Sequence, residues 1–155
     1  MSATTEPSLQ LHSRTRQDRH GDCFAARPVD QGGLGLEFQL EPDGSVHTRL
    51  DCIERWQGYD GMMHGGILSA LADAVMTNCL FAAGVEAVTG DLRVRFRQPV
   101  QLAGAVEAIG RIVRVADPLY VMQARLVQAG QVKVSAEAKF MRTGPSPATR
   151  PSGRG

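Results

Sequence analysis

The apolar and polar positions of this chain follow two different periods. Segments 34–40 and 46–52 both alternate apolar with polar or small residues, and the Pro42-Asp43-Gly44 turn lies between them. Such alternation over two adjacent runs predicts a β-hairpin. From Gly65 to about Ala83 the apolar residues instead recur at helical spacing. Their single stripe consists of Leu68, Leu71, Ala72, Val75 and Cys79.

Alternation returns after this helix, which Gly84 is expected to end as a C-cap residue. Along 92–97 the apolar residues point to one side of a strand, and Pro99 ends it. The residues that point to the other side are Arg93, Arg95 and Arg97.

Three more strands are predicted, at about 103–115, 119–128 and 131–141, and a tight turn at Ala129-Gly130 joins the last two. One helix with one apolar stripe and an antiparallel sheet with one apolar face can bury each other in two layers. The pattern therefore predicts the α+β class.

The length of the chain limits it to one domain. It has 155 residues, of which 43% are hydrophobic and 21% charged, and these fractions are ordinary for one globular core. Residues 1–20 and 143–155 are polar, or rich in Pro, Gly and Ser, and show no period. We therefore expect two disordered tails around a single domain at 21–142.

Charge and cysteine usage exclude several function classes. Seventeen basic and sixteen acidic residues give a net charge of +1, which provides no overall field toward nucleic acid or an anionic membrane. The three cysteines are scattered, so we expect neither a disulfide framework nor a metal site. The N-terminus lacks a leader-like apolar segment, and no apolar run approaches membrane-spanning length. We expect a cytoplasmic protein without a metal or other cofactor, and neither nucleic acid nor a membrane as partner.

Two glycines open the predicted helix. Gly65 and Gly66 are poor helix formers, but they let another molecule approach the backbone closely. The first N–H groups of a helix are unpaired and carry the positive end of its dipole. Aimed at a carbonyl that becomes an oxyanion, such a group stabilises the transition state by about 3 to 4 kcal/mol. A helix start that is merely rich in glycine is the alternative.

Asp73 lies in the middle of the helix, where an acid neither caps the helix nor favours its dipole. It falls beside the apolar stripe, so we expect it to be partly buried and suited to general-base use. A solvated acid on the helix surface is the alternative.

His64 precedes the helix and lies nine residues before Asp73. That separation corresponds to about 180° of rotation and about 13 Å of rise. One protomer therefore cannot bring its own turn at His64 and Gly65 onto its own Asp73. If both act in one site, that site combines two chains, and the protein is an oligomer.

Three features of the sequence resemble the hotdog-fold thioesterases of the phenylacetate-pathway type. They are the run Gly61-Met-Met-His64-Gly65-Gly66, the acid Asp73 nine residues after His64, and the strand from Val88 to Pro99. The resemblance covers residues 30 to 142, nearly all of the predicted domain. It implies a long central helix wrapped by an antiparallel β-sheet. It also implies a dimer whose sheets join edge to edge, often paired again into a tetramer, and an acyl-CoA or related thioester as substrate.

The resemblance assigns roles to individual positions. It points to the Gly65 amide as the group that polarises the thioester carbonyl, and to Asp73 of the neighbouring subunit as general base or nucleophile. It points to Thr89 as the hydroxyl that places the carboxylate or its water, and to His64 as the residue that holds the turn and the substrate carbonyl. Gln57 is the nearest candidate for an amide side chain that helps to hold the water.

Other residues are candidates for substrate binding. Gly66 and Met63 adjoin the turn, and an apolar tunnel for the acyl group is expected to include Met63, Ile67 and Phe81. A guanidinium fork suits phosphate, so the predicted outer arginines are candidates for the phosphates of CoA: Arg93, Arg95 and Arg97. A solvated outer sheet face or a contact between dimers is the alternative for them.

Two other functions compete with hydrolysis. A non-catalytic acyl-CoA-binding or sensing module on the same fold would not need Asp73, so this acid favours the enzyme. A structural hotdog-like domain that contacts another protein would bind no thioester.

Overall fold

The computed structural model describes Ser8, His12 and residues 22–146. In chain order, its strands and long helix are β1 (Gln39–Leu40), β2 (Val46–Asp51), α1 (Gly65–Ala82), β3 (Ala87–Phe96), β4 (Ala105–Ala116), β5 (Leu119–Gln128) and β6 (Gln131–Arg142). Two short 3-10 helices, Val29–Gln31 and Glu54–Trp56, precede β1 and α1 respectively. The strands form one antiparallel sheet in the order β1-β2-β4-β5-β6-β3. Helix α1 packs against β2 to β6. The predicted α+β class, with a long central helix wrapped by an antiparallel sheet, is confirmed.

Helix α1 is buried more completely than its sequence pattern predicted. Twelve of its residues are buried, whereas the pattern indicated a single stripe. Close approach to the sheet contributes to this burial, because a Cβ on Gly110 of β4 would lie 3.0 Å from the carbonyl carbon and oxygen of Val75. By length and composition α1 could cross a membrane, with a mean hydropathy of 1.4, which corrects the expectation that no run approaches that length. In this fold it is the centre of the core.

The C-terminal end of α1 is where the sequence placed it. Ala83 is the C-cap residue, and Gly84 follows with a φ of +73°. The Val85 N–H then donates to the Leu80 carbonyl across 2.8 Å. This is the Schellman arrangement, in which a glycine in the left-handed region lets the chain leave the helix.

The first predicted strand is shorter than expected, since β1 contains only Gln39 and Leu40. Leu34 and Leu36 are buried, as their alternation predicted. However, their amides donate to the carbonyls of Phe24 and Ala25, across 3.0 and 2.9 Å. A preceding loop, rather than a β-strand partner, supplies their acceptors, so the hairpin prediction was wrong for this part of the segment.

Most of the two predicted tails lies outside the described residues. Of the first tail, Ser8 donates its backbone N–H to the Ala82 carbonyl across 2.9 Å. The Nε2 atom of His12 lies 2.7 Å from Oδ1 of Asn78. These two residues therefore dock on the C-terminal half of α1.

Candidate active site

The side chain of His64 caps the N-terminus of α1. Its Nδ1 accepts the Gly66 N–H at 2.8 Å, and its own backbone N–H donates to the Trp56 carbonyl at 2.7 Å. Because Nδ1 is an acceptor here, the neutral ring carries its proton on Nε2. The ring is exposed, so it offers an N–H donor beside the start of the helix.

The two glycines of this turn have different tasks. The Gly66 N–H donates to the capping His64 side chain. A Cβ on Gly66 would lie 2.9 Å from Cε1 and Nδ1 of His64. The Gly65 N–H, by contrast, donates to no acceptor within the described part of the chain. A Cβ on Gly65 would meet the Phe96 ring at 3.4 Å. Gly65 therefore presents an unpaired amide at the positive end of the helix dipole.

Asp73 is half-buried, as predicted, and receives a hydrogen bond from the edge strand β3. The Thr89 hydroxyl donates to Asp73 Oδ1 across 2.7 Å. This bond places Thr89 next to the carboxylate, where the resemblance had placed it. It leaves the second carboxylate oxygen available to accept a proton.

A β-bulge in β3 turns Thr89 toward the helix. Thr89 pairs with Phe140 and Leu92 pairs with Ala138, and the register shifts by one residue between Thr89 and Asp91. Both partners on β6 are buried beneath α1. Side chains alternate along a regular strand, so residues three positions apart would face opposite sides. The bulge absorbs Gly90 as an extra residue, and Thr89 and Leu92 therefore both face the helix.

A cavity of about 120 Å³ opens beside Asp73 on the second half of α1. Its lining is mostly apolar and includes three aromatic rings, those of Phe24, Phe38 and Phe81. Of the predicted tunnel residues, Phe81 alone lines this cavity within one protomer. Met63 is buried in the core and Ile67 packs against it, both near the start of the helix, and neither lines this cavity. Their place in an acyl tunnel stays a prediction.

Gln57 and the arginines occupy positions apart from Asp73. The Gln57 Oε1 atom accepts the Gly61 N–H at 3.0 Å and so holds the turn that precedes His64. The predicted outer arginines do lie on the sheet face opposite α1, as Arg93 pairs with Glu137 while the neighbouring Leu92 faces the helix. Within one protomer the sheet lies between them and the carboxylate, and their predicted contact with the phosphates of CoA stays a prediction.

Sequence reasoning missed the bulge and most of the cavity. Gly90, within an otherwise alternating strand, is a recognisable signal for a bulge. Phe24 lies in a segment without any period, so no pattern could have placed it beside Asp73. Among the described residues, no three His, Cys, Asp or Glu side chains form a cluster that could hold a metal ion.

A known family matches the part of the chain that contains His64, Asp73 and Thr89. The family model of the thioesterase superfamily matches residues 60–144, more than half of the chain. That region contains the His64 turn, all of α1 and strands β3 to β6.

Several solved structures share the fold. A phenylacetic acid degradation-related protein from Ralstonia eutropha JMP134 is 25% identical, with a TM-score of 0.68, and the match covers 84% of this chain and 98% of that one. The Escherichia coli PaaI protein of the phenylacetic acid degradation operon is 18% identical, with a TM-score of 0.72 and coverage of 87% and 95%. A hypothetical thioesterase protein from Streptococcus pneumoniae TIGR4, solved with coenzyme A, is 23% identical, with a TM-score of 0.66 and coverage of 70% and 89%.

Another thioesterase superfamily structure is longer, and this chain spans 55% of its length. The matched family region contains both the capped helix start and the Asp73–Thr89 pair, and the surrounding fold is that of the phenylacetate-type structures. This chain therefore belongs to the thioesterase superfamily and is a hotdog-fold, PaaI-like member of it.

Proposed function

We propose that the protein hydrolyses an acyl-CoA thioester at a site shared by two subunits, with Asp73 from one and the Gly65 amide from the other. The observation that carries this proposal is the hydrogen bond from Thr89 to Asp73 at the edge of an apolar cavity. A half-buried acid held by a hydroxyl beside an acyl-sized space is suited to general-base catalysis.

The helix geometry supports a shared site. Gly65 and Asp73 lie on one continuous helix, and their separation of eight residues corresponds to about 12 Å of rise. Both groups must lie within hydrogen-bonding or attacking distance of the same thioester carbonyl. One protomer cannot satisfy both requirements.

The edge strand offers a way to complete the site. β3 ends the strand order, and in the described part of the chain no strand pairs with its outer edge. Thr89, near the start of β3, contacts Asp73, whereas Phe96, at its end, lies against Gly65. If two copies of β3 pair antiparallel about a two-fold axis, the Phe96 end of one lies next to the Thr89 end of the other. The Gly65 amide of one subunit is then carried toward Asp73 of its partner.

The proposed reaction uses these groups as follows. The Gly65 N–H and the Nε2–H of His64 donate to the carbonyl oxygen of the thioester and stabilise the oxyanion. Asp73 accepts a proton from a water molecule while the water oxygen attacks the carbonyl carbon. The carbon–sulfur bond then breaks, the acid is released, and the departing thiolate takes up the proton from Asp73. In a nucleophilic variant an Asp73 oxygen attacks the carbonyl carbon, the carbon–sulfur bond breaks, and the thiolate leaves. Water then hydrolyses the resulting mixed anhydride, which releases the acid and restores Asp73, and the thiolate takes up the proton that the water gives up.

The cavity limits the acyl group. An apolar cavity of about 150 Å³ holds one benzene ring, and the space beside Asp73 is about 120 Å³. We therefore expect acyl groups of the size of a single small ring or a short chain. The coenzyme A in the S. pneumoniae structure supports CoA as the carrier.

The first test is turnover with a panel of acyl-CoA thioesters, measured as release of free thiol. Wild-type protein should hydrolyse short and small-ring substrates, and Asp73→Asn should lower kcat by about 10² to 10⁴. Size-exclusion chromatography should show the same assembly for both proteins. Equal turnover by Asp73→Asn would exclude the proposed chemistry, and binding without turnover by the wild type would favour a sensing module.

The second test asks whether the site is shared. Gly65→Pro removes the amide hydrogen, and proline is tolerated at the first position of a helix. His64 already has the extended backbone that a residue before proline requires, with φ −66° and ψ 130°. Gly65→Pro and Asp73→Asn should each be inactive alone. Mixed by co-refolding, they should recover about a quarter of wild-type activity, because half of the dimers then contain one complete site. No recovery would show that both groups act within one chain.

A further inference from the structure

A groove of about 310 Å³ crosses the outer face of the sheet, the face that points away from α1. Five arginines line it: Arg93 and Arg95 of β3, Arg97 just after β3, Arg111 of β4 and Arg125 of β5. Glu137 is the one carboxylate among the described residues of its lining. Because the whole chain has a net charge of only +1, positive charge is concentrated in this groove.

Strand register places three of these arginines around one hydroxyl. Ser135 on β6 pairs with Arg95 of β3 on one side and with Arg125 of β5 on the other. Neighbouring strands are about 4.8 Å apart, so the Cα atoms of these two arginines are about 10 Å apart with the serine between them. Arg97 donates from Nε to the Ser135 Oγ atom across 3.2 Å.

The next row of side chains contains one carboxylate, that of Glu137, which is the cross-strand neighbour of Arg93. Arg111 donates to the Gln123 side-chain oxygen across 3.2 Å, and the Gln123 amide contacts Glu137 across 3.5 Å. Within the described part of the chain, no arginine of the groove forms an ion pair. Several guanidinium groups thus converge on one concave surface with hydrogen-bond donors to spare.

We propose that this groove, here called the outer arginine groove, binds a small molecule with two or more phosphates, of nucleoside diphosphate size, at a site separate from the thioester site. Guanidinium forks bind phosphate oxygens in pairs, and the groove has the volume of a small-ligand pocket. A second copy of the same face is a poor occupant, because it would bring like charges together.

The sheet makes this site independent of the proposed chemistry. Asp73 and its cavity lie on the helix side, and the arginine side chains lie on the other. Two sources could supply the phosphates, namely a free nucleotide or the coenzyme A part of a substrate held in the thioester site. If ADP binds the groove without competing with acyl-CoA, the ligand of the groove is a free nucleotide.

The experiment is calorimetric titration of the full chain with ADP, pyrophosphate and citrate. ADP and pyrophosphate should bind, and citrate should bind at least tenfold more weakly. Arg125→Gln and Ser135→Glu should each weaken ADP binding about tenfold or more, through loss of a charge-assisted hydrogen bond or introduction of a competing carboxylate. The matched control is Arg114→Gln, which changes an exposed arginine on β4 outside the groove and should bind as the wild type does.

Two measurements test whether the outer arginine groove binds independently of the thioester site. They are ADP binding by Asp73→Asn and inhibition of wild-type hydrolysis by ADP. Asp73→Asn should bind ADP as tightly as the wild type, and ADP should not compete with acyl-CoA. Competitive inhibition that Arg125→Gln removes would make the groove the phosphate site of the substrate and overturn the proposal. Absence of ADP binding by the wild type would also overturn it, as would equal binding of citrate. If the wild type does not bind ADP and Ser135→Glu loses the native assembly, the face is instead a contact between copies of the chain.

Discussion

Thr89 and Asp73 are joined by a hydrogen bond of 2.7 Å that links the edge strand of the sheet to the middle of the central helix. The hydroxyl donates to one carboxylate oxygen, so the carboxylate has a fixed orientation. A carboxylate held by one hydroxyl has its other oxygen left to accept a hydrogen bond from water.

Removal of this hydroxyl should slow catalysis without loss of the fold. Thr89→Val preserves the shape of the side chain but cannot donate. A hydrogen bond to a charged group contributes about 1.5 to 3 kcal/mol, so we expect kcat to fall about ten- to a hundredfold with a smaller change in KM. Thr89→Ser keeps the donor and should retain most activity. An unchanged kcat in Thr89→Val would show that Asp73 does not depend on this bond.

His64 should contribute to stability and to activity through different atoms. His64→Ala removes the acceptor for the Gly66 N–H, so the free energy of unfolding should fall by about 1 kcal/mol. His64→Asn restores a strong N-cap and should be close to the wild type in a urea titration. Both variants should lose turnover, because neither offers the Nε2–H donor. Wild-type turnover by His64→Asn would limit the role of the ring to capping.

The cavity beside Asp73 should determine acyl size. Ala70 lines it, and Ala70→Leu would fill part of about 120 Å³. We expect this variant to lose turnover of ring-sized acyl groups while turnover of acetyl-CoA persists. Ala103→Leu, in an exposed loop, is the matched control. An equal effect on all chain lengths would show that the acyl group lies elsewhere.

The three cysteines should differ in reactivity. Burial raises the pKa of Cys79 to about 12 and also raises the pKa of Cys52, while Cys23 is half-exposed. A raised pKa keeps a thiol protonated and unreactive at mildly alkaline pH. An aromatic disulfide reagent should therefore label one thiol rapidly in the native protein and all three after denaturation. Rapid labelling of two in the native state would contradict the burial of Cys52 and Cys79.

The Asp117–Arg142 ion pair should make stability depend on pH in the acid range. The hydrogen bond from Arg142 holds the pKa of Asp117 below its ordinary value. A lowered folded-state pKa stabilises the fold above the ordinary pKa, and this contribution is lost as the pH falls through the folded-state pKa. Asp117→Asn should therefore have a lower Tm than the wild type at neutral pH. The difference should disappear in strong acid.

Asp60→Asn, in an exposed loop, is the control for that comparison. It should leave Tm unchanged at both pH values. A constant difference between Asp117→Asn and the wild type at every pH would show that charge is not its origin.

Local periodicity predicted those parts of the structure that depend on one element at a time. The bounds of α1, the end of the helix beside Gly84 and the partial burial of Asp73 all follow from helical spacing and the position of glycine. The alternation from Leu92 onward likewise placed the arginines on the face opposite the helix. The role of Thr89 came from the family resemblance, and the structure supplied its contact with Asp73.

Features that depend on contacts between distant segments could not be predicted. The amides of Leu34 and Leu36 pair with a loop ten residues earlier, and alternation identifies burial but not the pairing partner. The cavity combines Phe24 and Phe38 with one face of α1, and no local pattern joins them. To predict that the arginines lie apart from Asp73, one would need to know that the sheet lies between them.

The unpaired residue at Gly90 has a consequence for the whole of β3. Thr89 and Leu92 are three positions apart, and both face the helix because the bulge absorbs one residue. Deletion of Gly90 would leave a regular strand in which these two residues are two positions apart and still share a face. Deletion should therefore keep the arginines outward and the hydroxyl toward α1, and it should remove the local kink that sets the angle at which Thr89 meets Asp73.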